Sequence, residues 1–380
     1  MQQFGGKKMK KVLCVLLVAV LALTCFAGCN NDDPNPTQEN KTVEIAVVTD
    51  VGQLNDGGFN QGTYEGAKAY AEKNGKTYSY YQPANGSNAT DADRIEAMNN
   101  AIKDGAKVIV TPGFLQEAAL KDVAAKNPDV KFIFIDGYPV ADANGNILKN
   151  VAGIAYKEQE SGYFAGYAAV KEGYTKLGGT FGGGASNPAC NRFAYGYVMG
   201  ADAAAKELGK QIEIKISFLN GSSFSASPAL EAQMNGWYQT GTEVVFSCGG
   251  SMVNSVLAAA QANNGKVIGV DTDQSGLGEE VITSAVKGLA ASVQWALDKF
   301  YNGSFDELGG TSVSLGAADD STGLPTATWR LKNFSKTDYE NLFNNVKSGK
   351  LVIDAPAEVS ADGNNIEKAA VTNTKLTIEK

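Results

Sequence analysis

The chain reads as an α/β protein of two doubly wound, Rossmann-like lobes joined by hinge strands. Three observations lead there. Short runs rich in Val, Ile and Phe, such as Val43–Asp50, Lys131–Asp136 and Lys266–Asp271, are bounded by Gly, Asn and Pro. Such runs mark strands buried on both faces, and therefore parallel sheets. These strands alternate with segments of helical length. The alternation runs through twice, and two α/β series imply two lobes.

The first 28 residues read as an export signal. Lys7, Lys8, Lys10 and Lys11 precede an apolar run from Val12 to Leu23, the basic-then-apolar order of a signal peptide. The run is too short for a confident membrane span, which needs about 20 residues. Cys29 directly follows Ala27-Gly28 and resembles the lipid-accepting cysteine of a bacterial lipobox. Acylated, as with palmitate, it would become the new N-terminus and tether the chain to the outer face of the cell membrane. Residues 29–41 are polar and Pro-containing, as expected of a flexible spacer.

From Thr42 the first series runs strand 42–49, helix 58–73, strand 77–81 and helix 91–103. It continues through strand 107–110, helix 115–126, strand 131–135 and strand 150–156. A helix with close-packing glycines, 158–171, opens the second series. There strands are expected at 176–181, 211–218, 243–246 and 266–270, with helices at 192–208, 227–240 and 252–263. Strand 280–286 and helix 289–301 carry the chain back to the first lobe, and the tail from Thr322 returns to the second. The expected lobes are 42–156 with 288–318, and 157–287 with 319–380. Lobes so joined close on a ligand like jaws.

Composition excludes several function classes. Loss of the four signal lysines takes the formal charge from -8 to -12, which argues against nucleic acid. A poor electrostatic match to anionic lipid leaves tethering to the lipid anchor. The chain has no histidine, which removes imidazole-based triads and most catalytic zinc sites. No metal or cofactor is expected, and the chain is expected to be a monomer. Cys190 and Cys248 remain as thiols in a compartment that permits a disulfide; sequence does not say whether they pair.

Three strand runs end in aspartate, at Asp50, Asp136 and Asp271. Ligands of open α/β sheets bind outside the carboxyl ends of the strands. Carboxylates there accept from hydroxyl or N–H groups, as on a ribose or a base edge; singly, each is also a common turn or cap residue. Phe59 and Phe224 lie on loops expected to face each other from the two lobes, where they can sandwich a planar base. Asn60 offers both donor and acceptor, and Lys287 a donor, against the alternative of a solvated hinge lysine.

Asp50–Gly66, Val151–Ala169, Gly178–Ala201, Val267–Gln274 and Ile282–Gly288 resemble the basic membrane protein family, which includes PnrA-like purine-nucleoside-binding lipoproteins of ABC importers. The likeness covers nearly all the mature chain up to about Tyr301. It implies a type I periplasmic-binding-protein fold, a nucleoside (purine favoured) held between the lobes, and an ABC permease partner. By motif, Asp50, Phe59 and Asn60 correspond to the first-loop contacts, and Asp136 to a base-reading carboxylate. Phe224 corresponds to the opposing ring, and Gly250, Asp271 and Lys287 to ribose contacts. Around Phe224 the pattern departs, with one extra serine and no acid in GSSFSASP. The tail from Thr322 matches weakly, and the residues leave purine against pyrimidine open.

Other motifs fail. Asp271–Ile282 begins like a calcium loop but ends on Ile282 where a bidentate Glu is needed. Asn74–Thr77 lacks the first P-loop glycine, since Tyr70 stands in its place, and Asn187 replaces the last glycine of a dinucleotide fingerprint. No G-x-S-x-G elbow occurs. Alongside the nucleoside receptor stand a monosaccharide receptor of the same fold and a surface nucleoside hydrolase using Asp50 or Asp271 as base.

Overall fold

A computed structural model describes residues 42–51 and 53–380; the signal, the spacer and Cys29 lie outside the described residues. The first series builds β1 (Ile45–Val48), α1 (Phe59–Asn74), β2 (Tyr78–Tyr81), α2 (Asp91–Lys103), β3 (Val108–Pro112), α3 (Glu117–Lys126), β4 (Lys131–Ile135) and β5 (Val151–Tyr156). The second builds α4 (Glu158–Glu172), β6 (Lys176–Phe181), α5 (Pro188–Leu208), β7 (Ile212–Ser217), α6 (Pro228–Gln239), β8 (Val244–Cys248), α7 (Met252–Asn263), β9 (Lys266–Asp271) and β10 (Val281–Lys287). There follow α8 (Leu289–Tyr301), β11 (Ser312–Leu315), β12 (Thr322–Gly323), α9 (Lys336–Lys347), α10 (Ala357–Ala361) and β13 (Thr374–Glu379).

Two sheets result, in the orders β11-β5-β4-β3-β1-β2 and β12-β10-β9-β8-β6-β7-β13. Alternation along the strands sorts the apolar residues. In the first sheet Ile45, Val47, Val108 and Val110 pack with α1 and α8 through Ala67, Ala71, Val293 and Leu297. Their neighbours Ala46, Val48 and Ile109 pack with α2 and α3 through Met98, Ala101, Leu120 and Val123. The second sheet is covered likewise by α4 and α5 on one face and by α6 and α7 on the other.

Local signals explain where several helices begin. Thr90 and Asp93 form a capping box on α2, and Ser227 caps α6 with Pro228 in its first turn. Asn187 accepts from the Cys190 N–H to start α5, again with proline in the first turn. The expected start at Arg192 was therefore too late, because Asn187-Pro188 is itself a cap followed by a first-turn proline. The expectation of wholly parallel sheets also needs correction: β12 runs antiparallel to β10. The short strand β11, absent from the sequence reading, pairs with β5.

The chain passes between the sheets after β5, after β10 and after β11, and the first turn of α4 fastens all three passages. Buried Glu160 accepts from the Ala317 N–H at 2.6 Å and the Thr322 hydroxyl at 2.7 Å. The Ser161 hydroxyl donates to the Val286 carbonyl and accepts from the Gly323 N–H. Further along, α4 and α5 cross with backbones in contact. A Cβ on Gly162 or Gly166 would overlap the carbonyls of Phe193 or Tyr197, and one on Gly196 or Gly200 those of Gln159 or Tyr163.

This crossing makes a test. Gly166→Ala gains about 1 kcal/mol of helix propensity, yet its methyl meets backbone that cannot swing aside. Overpacking of about 1–3 kcal/mol or more outweighs the gain, so thermal unfolding should show a net loss of stability.

Candidate functional site

The carboxyl ends of both sheets open onto one cleft. All eight residues singled out in the chain line it: Asp50, Phe59, Asn60, Asp136, Phe224, Gly250, Asp271 and Lys287. Asn187, Cys190, Phe193 and Cys248 join them, unanticipated as lining residues.

The end of the loop after β1 is held by hydrogen bonds. Asp56 accepts from the backbone N–H groups of Gly58, Asn60 and Gln61 at 2.9–3.2 Å. It thus caps α1 and sets the placement of Phe59 and Asn60. Arg94, almost wholly buried, donates from Nε to the Asp50 carbonyl and from its other nitrogens to Ala89 and Asp91. Neither anchor was apparent in sequence, since each works across a loop or from a separate helix. Among the described residues, buried Asn60 Oδ1 has no hydrogen-bond partner.

Lys287 is the electrostatic centre. Its ammonium donates to both oxygens of Asp136 at 2.9 and 2.7 Å, and lies 3.2 Å from Glu158 Oε1 and 3.9 Å from Asp271 Oδ1. The rings of Phe59, Tyr156 and Phe193 surround it at 5.1–5.4 Å. Burial opposes its charge, but Asp136, Glu158 and Asp271 outweigh that and hold it well above the usual lysine range. Burial likewise pushes Glu158 up, yet Arg192, at 2.6 Å, and Lys287 bring it below the ordinary glutamate value. Asp136 thus spends both oxygens on Lys287. Asp50 and Asp271 are raised to about 7, chiefly by burial.

The second lobe brings Phe224 on a loop whose backbone is left-handed at that residue, φ 55°. Glycines make room for its ring: a Cβ on Gly182 would overlap it, and one on Gly249 would lie 3.2 Å away. The glycines of Phe181–Pro188, which fit no phosphate motif, serve as this seat. Asp136 and Asp271 are also left-handed, at φ 59° and 66°, a conformation aspartate tolerates better than most residues. Cys190 and Cys248 are free thiols with sulfurs 3.9 Å apart.

Comparison with known proteins gives a consistent picture. A family model described as Bmp, ABC transporter substrate-binding protein PnrA-like, matches residues 43–353. The chain is 30% identical to the ABC transporter nucleoside-binding protein BmpA of Lactococcus lactis subsp. cremoris, over 87% of this chain and 96% of that protein. It is 26% identical to an uncharacterized lipoprotein of Pyrococcus abyssi, over 82% of this chain and 76% of the relative. A crystal structure of an ABC transporter solute-binding protein from Aeropyrum pernix shares the fold, with a TM-score of 0.70 at 22% identity. That likeness covers 86% of this chain and 98% of the other.

Two expectations follow from the electrostatics. Lys287→Met strands Asp136 and Glu158 and should cost about 3–5 kcal/mol in chemical denaturation, more at pH 8 than at pH 5, where the carboxyls can protonate. In the unmutated protein, Asp50 and Asp271 keep protons between about pH 4 and 7 that the unfolded chain has lost. Their contribution to stability therefore falls as pH rises through that window and levels off above it. Asp50→Asn should flatten the decline of melting temperature from pH 5 to pH 8; an unchanged slope would remove Asp50 as its source.

Proposed function

This chain belongs to the Bmp family of PnrA-like ABC transporter substrate-binding proteins, and we propose that its solute is a nucleoside, purine favoured, captured between the lobes for delivery to a membrane permease. Substrate-binding proteins of this family are receptors rather than enzymes. The jaws in this reading are residues 42–156 with 288–318, and 157–287 with 319–380. Cys29 is the lipid anchor that keeps the receptor at the outer face of the membrane, in keeping with the Pyrococcus relative described as a lipoprotein.

One observation carries the choice of solute: a phenyl ring from each lobe, Phe59 and Phe224, borders the same cleft as acceptor groups on strand ends. Stacking between rings contributes about 1–3 kcal/mol per base. Asn60 Oδ1 accepts from ribose hydroxyls or base N–H groups, and so do Asp50 and Asp271 once deprotonated, since ionised carboxylates only accept. Asp136 holds Lys287 in place, and Gly250 leaves room beside Phe224. An added phosphate would bring negative charge against Asp50 and Asp271, so nucleosides are expected over nucleotides. Binding shifts the population toward the closed form by its greater affinity for that state.

Calorimetric titration of refolded, ligand-stripped mature protein carrying Cys29→Ser tests this against adenosine, guanosine, inosine, cytidine, uridine, free bases and ribose. The expected result is a Kd of about micromolar or below, roughly -8 kcal/mol, for one nucleoside class, with the ligand recovered intact. Phe59→Ala should weaken it by about 1–3 kcal/mol. Heat from ribose alone would make the protein a monosaccharide receptor. Recovery of separated base and sugar would make it a hydrolase.

A further inference from the structure

We propose that the turn between β9 and β10, residues 272–278, is a clasp that sets how long the closed cleft persists. The proposal rests on the reading of lobes that close on a solute. The Gly57 carbonyl, on the loop after β1 in the first lobe, accepts two hydrogen bonds from the second. One comes from the Thr272 hydroxyl at 2.9 Å and the other from Gln274 Nε2 at 3.0 Å. A single carbonyl oxygen, with two acceptor sites, is thereby saturated across the lobes.

The donors are held ready for this role. Gln274 is 2% exposed; its Oε1 accepts from the Val270 N–H, and its own N–H donates to the Ser284 hydroxyl, both at 3.0 Å. The amide group is thus oriented from within its own lobe before it meets Gly57. The Thr272 methyl fits against Gly62 of α1, where a Cβ would come within 2.8 Å of it.

The turn is also braced from behind. Arg330 Nη1 donates to the carbonyls of Gly278 and Val281 at 2.7 and 3.0 Å, and the Thr328 hydroxyl donates to Asp273. This gives the segment after β12 a role: it holds the clasp against recoil when the lobes part.

Position separates the clasp from the ligand. Gly57, Thr272 and Gln274 border a second groove and none of them lines the main cleft. Yet Thr272 directly follows Asp271, and Phe59 stands two residues after Gly57. A solute that draws Asp271 and Phe59 together therefore brings the clasp into register, and the clasp in return retains the solute without touching it. Breaking it should accelerate release and leave capture nearly unchanged.

Two variants of the full chain test this. Thr272→Val keeps the shape and removes the hydroxyl. Gln274→Glu keeps the acceptor for Val270 and replaces the donor with a carboxylate facing the Gly57 carbonyl. Dissociation of inosine and of uridine would be followed by rapid displacement, and backbone hydrogen exchange measured without ligand. We expect dissociation about five- to tenfold faster, the order of one lost neutral hydrogen bond, with association little changed. Faster exchange should be confined to residues 57–62 and 272–278. Wild-type dissociation and exchange in both variants would overturn the clasp, as would faster exchange throughout the second lobe with a lowered melting temperature. Silence of the unmutated protein toward both nucleosides would count against the solute reading alone, and local exchange would still decide for or against the clasp.

Discussion

Lys287 places an ammonium group among three aromatic rings in the interior, where an isolated charge would be very costly. It is tolerated because carboxylates reach it from separate parts of the fold: Asp136 from the end of β4, Glu158 from the start of α4, and Asp271 from the end of β9. Arg192 of α5 then compensates Glu158. Replacing such a cluster with apolar groups need not destabilise a protein, whereas removing one member leaves a buried charge unpaired. Its clearest consequence here is therefore positional. It ties the two sheets together beside the passages between lobes and fixes the floor of the cleft at the same time.

Around that fixed floor other cleft-lining groups sit on strained or constrained backbone. A phenylalanine in the left-handed region costs on the order of 1–3 kcal/mol. At Phe224 the cost is offset by a seat of glycines that no other side chain could share. Phe59, at the start of α1, is placed by different means, three N–H groups drawn onto the Asp56 carboxylate. Preset ring surfaces lose little freedom when a solute docks. The cleft combines these preset rings with acceptors whose protonation sits near neutrality.

Much of this was legible in the chain because the signals are local. Asp91–Lys103, Lys131–Ile135, Lys176–Phe181, Met252–Asn263 and Leu289–Tyr301 have the bounds expected from short apolar runs alternating with segments of helical length. The convergence of Asp50, Asp136 and Asp271 follows from a topological rule about strand ends. What escaped was non-local or weakly marked. Nothing near Glu158 or Arg192 announces that they meet, since 34 residues separate them. Arg94 reaches Asp50 across 44 residues. The strand Ser312–Leu315 lacks a long apolar run, and the two residues of β12 are too few to carry any periodicity.

The last strand bears on how the protein can be handled. β13 pairs with β7 over all six of its residues, and Glu379 at its end accepts from Trp237 and Gln233 of α6. Asp202 of α5 receives the backbone of Thr372 and Asn373 just before it. The strand itself lies beyond residue 353, where the family match ends. A chain trimmed to that boundary would leave β7 as an unpaired edge, with a row of backbone donors and acceptors open to another molecule. Solubility, rather than solute recognition, would be the first property to suffer from loss of that strand.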